Sequence, residues 1–532
     1  MNSGSFSIDA LVDVAAFPHS VTKLELRETH ISWIVLTGPF AYKVKKPVRY
    51  DFVDASALDR RKFLCEEEVR LNRRFAPDLY LGVVPIVRES GQLRIGGRGE
   101  PLEFAVKMRQ FDASQELAAR LDQHAVTPDD MRSIAAKVAD SHRRAAVAPA
   151  AGFFGTFEKI RTPMLDNFSL LRSHLYGANE LGQLDQLAGW TADALTRLEP
   201  ALRARLLSGM VRECHGDLHA RNIVRWRQSW LPFDCIEFDP DLRWIDVISD
   251  AAFLYMDLVS RHRTDLASAF LSRYLEETGD YAGLRLLPLY CAYFALVRAK
   301  VDALGAGTAT ASERAALEAR MAERLAAAMR FMDEKPAALI IMHGVSGSGK
   351  SWLSERLIPE VRALRIRSDL ERKRLEGIAP PAGPVHGVGQ GDYTIASVHR
   401  TYQRLAECAD SALAGGCSAI IDATFLERAH RDLFRTLAGQ YHCRFLVVSC
   451  TADAATLGMR VDQRARGGLD PSEANRAVLD HQLRSRQPLS ADELRDTVPI
   501  DTSRPAAADG AIAEVKSRLA AGDCLGGGLG SS

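Results

Sequence analysis

Gly344-Val345-Ser346-Gly347-Ser348-Gly349-Lys350-Ser351 fits G-x-x-x-x-G-K-[ST] at every position. Its flanks fit as well. Ala338 to His343 is a short apolar run that reads as a strand, and Trp352 to Leu357 reads as an amphipathic helix stopped before Pro359. Strand, glycine loop and helix are the context in which such a loop cradles phosphates. Glycine lets the backbone curl so that successive N–H groups point inward at phosphate oxygens. The helix N-terminus adds its partial positive charge. Lys350 is placed to reach the β/γ-phosphates of ATP, and the Ser351 hydroxyl to hold Mg²⁺.

Outward from this loop, the chain is too long for one core. Its 532 residues favour about three compact units. Lys plus Arg and Asp plus Glu both number 68, so the formal net charge is zero. That excludes a generic nucleic-acid coat or an acidic-membrane binder, though not a local basic groove. Nine cysteines are scattered without C-x-x-C, and the N-terminus has no basic-then-apolar leader, which points to reduced thiols in a cytoplasmic protein. No run of 18 apolar residues occurs, and no membrane span is expected.

Beyond the loop, Leu364 to Asp369 reads as a strand ending in Asp, followed by Arg372. Asp369 could then orient or deprotonate an acceptor hydroxyl, and Arg372 could hold its phosphate. Pro380 to Gly391 reads as a mobile loop over the acceptor site. Ala419 to Thr424 is a second buried strand, with Asp422 suited to act on Mg²⁺ through water. Phe445 to Ser449 is a third. Arg460, Arg464 and Arg466 fall on one charged helix and read as a lid, with Arg464 as the arginine brought onto the transferring phosphoryl group. The tail from 523 to 532 is rich in Gly and Ser and reads as flexible.

Toward the N-terminus, Ser32 to Leu36 and Ala41 to Val44 read as a hairpin carrying Lys43. Asp59 to Phe75 reads as a charged helix with apolar positions Phe63, Leu64, Leu71 and Phe75. Strands follow at Gly82 to Arg88, Leu93 to Ile95 and Glu103 to Met108. In this order a strand lysine can pair with a helix glutamate to hold ATP phosphates. Lys43 and Glu67 are the candidates, with Glu68 close behind. From Thr127 the pattern is mostly helical. It is interrupted by Cys214-His215-Gly216-Asp217-Leu218-His219-Ala220-Arg221-Asn222 and, after a hairpin, by Phe233-Asp234-Cys235-Ile236-Glu237-Phe238-Asp239. An Asp followed five residues later by Asn, ahead of a strand, suits phosphoryl transfer: Asp217 as proton acceptor, Asn222 as Mg²⁺ ligand. An acidic residue after the hairpin completes the metal site.

His215-Gly216-Asp217-Leu218-His219-x-x-Asn222 resembles the catalytic loop of the aminoglycoside phosphotransferase family, which includes choline and fructosamine kinases. That resemblance implies a protein-kinase-like two-lobed α+β fold over roughly residues 25 to 300. It also implies a second metal ligand from an Ile-Asp-Phe motif. This chain offers Ile236-Glu237-Phe238, so Glu237 is the candidate, with Asp239 or Asp234 as substitutes. Ser141-His142 resembles the histidine that supports the loop. The second half resembles small P-loop kinases: the polynucleotide 5′-kinase, gluconate kinase and zeta-toxin group. That resemblance implies an α/β domain with a parallel sheet.

The expected layout is a kinase-like domain over 1–335, with a small lobe at about 20–110 and a large lobe at about 111–335, then a P-loop domain over 336–522. The expected activity is an ATP- and Mg²⁺-dependent, bifunctional phosphotransfer to a small-molecule or nucleotide hydroxyl. Two alternatives stand beside it: a non-catalytic N-terminal sensor that gates a P-loop ATPase, and a kinase acting on a nucleic-acid end.

Overall fold

The computed structural model describes residues 6–50, 53–175, 177–306, 310–333, 336, 338–378, 395–467, 475–504 and 506–520. The expected loop at Pro380 to Gly391 and the tail lie outside the described residues. Packing divides the chain into two compact units, one of 1–126, 140–162 and 199–254, the other of 127–139, 163–198 and 255–532.

The first unit is built on a six-stranded antiparallel sheet. Its strands are β1 (Glu25–Glu28), β2 (Ser32–Leu36), β3 (Phe40–Lys45), β4 (Tyr80–Glu89), β5 (Gln92–Ile95) and β6 (Pro101–Arg109), in the order β1-β2-β3-β6-β4-β5. β3 alternates the two faces. Tyr42 and Val44 join one apolar cluster with Val35 and Ile86, while Lys43 and Lys45 point to the other face. Helix α1 (Leu58–Asn72) covers that second face, burying Leu64, Cys65, Glu68, Val69 and Asn72. The β1–β2 turn contains no glycine. Thr29 closes it instead, its Oγ1 accepting from the Ser32 amide at 3.0 Å. β1 escaped the sequence reading because Glu-Leu-Arg-Glu is an exposed edge with no apolar alternation.

The hairpin of β7 (Ile223–Trp226) and β8 (Ser229–Pro232) carries the catalytic-type loop and Phe233-Asp234 at the same open end, where Ile223 pairs with Pro232 and the Phe233 amide donates to the Asn222 carbonyl at 2.9 Å. This order of strands, one helix, loop and hairpin is the protein-kinase-like fold.

The second unit holds a five-stranded parallel sheet. Its strands are β9 (Ala338–His343), β10 (Ala363–Arg367), β11 (Ser418–Asp422), β12 (Arg444–Thr451) and β13 (Thr497–Asp501), in the order β10-β11-β9-β12-β13. The three inner strands are almost wholly apolar and buried, as strands covered on both faces must be. Crossing from β9 to its neighbours on either side makes a switch point at the carboxyl edge, where the glycine loop sits.

Two sequence expectations change here. The helix after the loop, α3 (Lys350–Val361), runs two residues past Pro359 rather than stopping before it, although the proline removes the N–H that would bond the carbonyl four residues back. The strand before Asp369 ends at Arg367. Asp369 lies instead in the first turn of helix α4 (Ser368–Leu375), where an acidic residue suits the helix dipole.

The second unit also includes helices from before residue 335. Helix α2 (Thr264–Thr278) covers the outer edge of the sheet at β10. The Arg365 amide donates to Ser272 Oγ at 3.0 Å, and the Arg365 carbonyl accepts from Tyr281 Oη at 3.3 Å. An edge strand needs such partners, which is why these helices group with the P-loop sheet. Among the described residues one helical stretch, Tyr281–Ala306, is long and apolar enough to cross a membrane by length and composition, and 67% of its most apolar window is buried within the protein.

Candidate active sites

In the first unit Lys43 is the hub. Its Nζ lies 2.9 Å from Glu68 Oε1 and 2.6 Å from Asp234 Oδ1. Two residues along the same strand face, Lys45 Nζ lies 2.5 Å from both Glu68 Oε2 and Glu237 Oε1. Burial opposes the charge on Lys43, but Asp234 and Glu68 outweigh it and hold the ammonium well above its ordinary value. Burial likewise pushes Glu68 up, yet the two lysines bring its carboxyl down to about 2. Glu237 has one close cation rather than two, and desolvation leaves its carboxyl raised.

These contacts correct two sequence expectations. Glu67 does not pair with Lys43. It faces Arg70 at 2.8 Å and Arg243 at 3.4 Å, one helix position round from the strand, and Glu68 takes the lysine. Glu237 does not present its carboxylate to the cleft. It is 4% exposed and engaged by Lys45. Asp234, at the first acidic position after the hairpin, faces the cleft instead. Its backbone is left-handed (φ 64°), its amide donates to Tyr80 Oη at 3.1 Å, and its side chain is 42% exposed. A non-glycine residue held in that region is uncommon and points to a constrained position.

The loop itself is braced from behind. Asp250, buried, accepts from the amides of His215 (3.1 Å) and Gly216 (2.9 Å) and contacts His142 Nε2 at 2.9 Å. A Cβ at Gly216 would stand 2.7 Å from the Leu242 carbonyl oxygen, so only glycine fits this turn. His142, Cys214 and Asp250 are close enough to share a metal ion. They fit a brace better: the carboxylate already accepts two amides, and burial pushes the Cys214 thiol well up, keeping it neutral. Beyond the brace, Asn222 Nδ2 donates to Asp217 Oδ2 at 2.8 Å and to the Asp217 carbonyl at 3.0 Å. His219 Nε2 lies 3.4 Å from the same carboxylate. A cleft of about 540 Å³ runs between the sheet and the hairpin, walled by Ile34, Ala41, Met108 and Phe233, with Lys43 and Asp234 at one end. Asp217 and Asn222 on the loop and Asp234 just past the hairpin carry side-chain oxygens, the donor type that hard divalent cations take.

In the second unit the glycine loop curls as expected. Gly347 and Gly349 both adopt φ 83°, and a Cβ on Gly344 would fall 2.3 Å from the Cys450 carbonyl oxygen. Lys350 Nζ donates across the loop to the Val345 carbonyl at 2.9 Å. Ser348 Oγ is buried without a hydrogen-bond partner among the described residues, a donor suited to a phosphate oxygen. Asp422 ends β11, 5% exposed, and accepts from Ser354 Oγ at 3.2 Å. A cleft of about 130 Å³ brings Gly347, Gly349, Lys350 and Ser351 together with Asp369, Arg372 and Asp422. Ser346 and Gln482 line it as well, and the Ser346 amide donates to Gln482 Oε1 at 2.7 Å.

Arg460 is not a lid arginine. Its guanidinium grips the Gly347 carbonyl (3.2 Å) and Thr502 (2.8 Å), bracing the loop from behind. Arg464 falls on the same helix, Ala454–Gly467, but its side chain lies outside the described residues. Arg372 lines the cleft and pairs with Glu376 at 2.9 Å.

The two sites define the class: a protein-kinase-like domain joined in one chain to a kinase-type P-loop domain. Residues 339–489 match the family model described as an AAA domain, AAA_33. The chain belongs to the family of Rv2004c of Mycobacterium tuberculosis (strain ATCC 25618 / H37Rv), with which it is 30% identical over 464 residues, 87% of this chain and 91% of that protein. Two solved structures are similar to parts of the chain. A choline/ethanolamine kinase family protein from Mesorhizobium loti is 14% identical, over 61% of this chain and 97% of that one, with a TM-score of 0.37. The Mycobacterium tuberculosis APS kinase CysC, in complex with AMPPNP and APS, is 21% identical, over 35% of this chain and 98% of that one, with a TM-score of 0.25.

Proposed function

We propose that this chain is a phosphotransferase with two ATP sites, each moving the γ-phosphoryl group to a hydroxyl. The observation that carries the reading is Asp234 beside Lys43 in the cleft. The sensor alternative drew its support from Glu237 standing where the family motif has Asp. Asp234 at the end of the hairpin offers a shorter carboxylate beside Lys43, outside the motif position itself, and this supports the catalytic reading over the sensor.

In the first site Lys43, fixed by Glu68, would hold the phosphates of ATP. Asn222 and Asp234 would hold Mg²⁺, which when bound neutralises charge on the phosphates. Asp217 would orient the acceptor hydroxyl and take its proton while the oxygen bonds to the γ-phosphorus and the bond to ADP breaks. Asn222 holds that carboxylate in place. In the second site the amides of the loop and Lys350 would bind the phosphates, and Ser351 and Asp422 would hold Mg²⁺. Asp369 would serve the acceptor hydroxyl, with Arg372 beside it. The acceptor is a small alcohol, sugar or nucleotide.

The test is transfer of ³²P from [γ-³²P]ATP to a panel of small alcohols, sugars, nucleosides and oligonucleotide ends. It is run on the wild type, Asp217→Asn, Asp234→Asn and Lys350→Ala. Acceptor-dependent label that Asp217→Asn and Asp234→Asn both abolish supports the first site. Label insensitive to both removes it and restores the sensor.

A further inference from the structure

Arg365 lies on the edge strand β10, 5% exposed, and takes part in no step assigned so far. Its Nε donates to Glu276 Oε1 at 2.7 Å. Glu276 is itself 4% exposed and sits on α2, far from the P-loop in sequence. On its other side, Arg365 Nη1 donates to the backbone carbonyl of Ser351 at 3.2 Å and reaches Ser354 Oγ at 3.5 Å. Ser354 Oγ in turn donates to Asp422 Oδ2 at 3.2 Å. One buried guanidinium therefore links Glu276 to the backbone of Ser351, whose hydroxyl is proposed to hold the metal, and through Ser354 Oγ, shared between the Ser351 carbonyl and Asp422, to the second proposed ligand. Glu355, at 3.9 Å and 45% exposed, is too distant to replace Glu276 as a hydrogen-bond partner.

Simple burial of the strand edge does not need this pair. Ser272 and Tyr281 already satisfy the Arg365 backbone. A buried guanidinium costs desolvation and is retained at no gain over an apolar side chain unless its charge or geometry is used. Without Glu276, Asp422 and Glu355 would be the remaining carboxylates acting on Arg365, and a pull on Asp422 would act against a metal ion there.

We propose that Glu276 is a positioning residue for the metal end of the P-loop site, acting through Arg365 on Ser351, Ser354 and Asp422. This rests on the P-loop reading of Proposed function. The metal is a hard divalent cation, and outer-shell partners of this kind typically change metal affinity by about 10- to 100-fold.

The experiment follows binding of a fluorescent ADP to the full chain as Mg²⁺ is titrated, counting only the signal that Lys350→Ala removes. Glu276→Gln is expected to raise the Mg²⁺ midpoint by about 10-fold, with binding in EDTA unchanged. Arg365→Lys, which keeps the charge but loses the fork, is expected to raise it too, and gives a second reading should Glu276→Gln fail to fold. Ser272→Ala, which removes a backbone cap on the same strand, is expected to lower the thermal midpoint and leave the Mg²⁺ midpoint alone. The proposal is overturned if Glu276→Gln and Arg365→Lys lower the thermal midpoint while the Mg²⁺ midpoint stays put, or if Ser272→Ala moves that midpoint equally. If Lys350→Ala removes none of the Mg²⁺-dependent binding, the P-loop reading and this proposal are overturned together.

Discussion

Lys43 Nζ stands 2.6 Å from Asp234 Oδ1, so the strand lysine and the post-hairpin carboxylate already touch across the cleft. Asp234 and Glu237 therefore differ in kind. Asp234→Asn should lower N-terminal transfer roughly a hundredfold or more, since a metal ligand supplies several kcal/mol, with little loss of stability. Glu237→Gln should do the reverse. It removes a buried partner of Lys45 and should cost about 3 kcal/mol of unfolding free energy. Paired kinetic and urea-unfolding measurements separate the two, and equal effects on rate would contradict the assignment.

Two independent sites should fail independently. Asp217→Asn should reduce one acceptor-dependent activity by about 10² to 10⁴, the usual contribution of a positioned base, and leave the turnover that depends on Lys350 intact. Lys350→Ala should do the opposite. A single activity abolished by either change would mean one site, not two.

Arg431 and Glu493 form a buried two-pronged pair, at 2.6 and 3.0 Å, each side chain 1% exposed. Glu493 also closes a capping box with Ser490. Arg431→Met leaves the Glu493 carboxylate buried with the Ser490 hydrogen bonds but without this counter-ion, and should cost about 3 kcal/mol. The expected signature is a lower thermal midpoint with ADP affinity at 20 °C unchanged.

Acid should weaken the P-loop unit through His343. Burial, with Arg431 and Lys350 nearby, holds its imidazole down at about 4. Its Nδ1 contacts Ser449 Oγ at 2.9 Å, and its Nε2 is buried without a partner among the described residues. The unfolded chain binds this proton near its ordinary value of about 6.5, the folded chain only near 4. The stability is therefore present above pH about 6.5 and is lost as pH falls toward 4. His343→Gln should flatten the fall in thermal midpoint across that window; an unchanged slope would point to other groups.

The P-loop was legible because its chemistry is local: eight consecutive residues set the backbone path and the flanking strand and helix. That Asp217 and Asn222 meet was legible for the same reason. Glu68 was not, because Glu66, Glu67 and Glu68 are consecutive and only the phase of α1 against β3 selects one. The signal was present in part: Leu64, Cys65 and Asn72 lie three or four residues from 68, whereas Phe63, four before Glu67, is 46% exposed. Asp234 was obscured by letter-matching to Ile236-Glu237-Phe238. The hairpin ends at Pro232, and counting from there makes Asp234 the first available carboxylate. Arg365 with Glu276 had no sequence signal, being a contact between residues 89 apart.

The hydroxyl caps on β10 bear on how the protein can be cut. A fragment beginning at residue 336 would carry the whole glycine loop yet lack Ser272, Glu276 and Tyr281. It would present a raw strand margin and an arginine stripped of its counter-ion, a template for stacking onto copies of itself. Cutting ahead of α2 instead keeps the margin covered, so the shortest well-behaved ATP-binding piece should start within the helices that the motifs alone would assign to the other half.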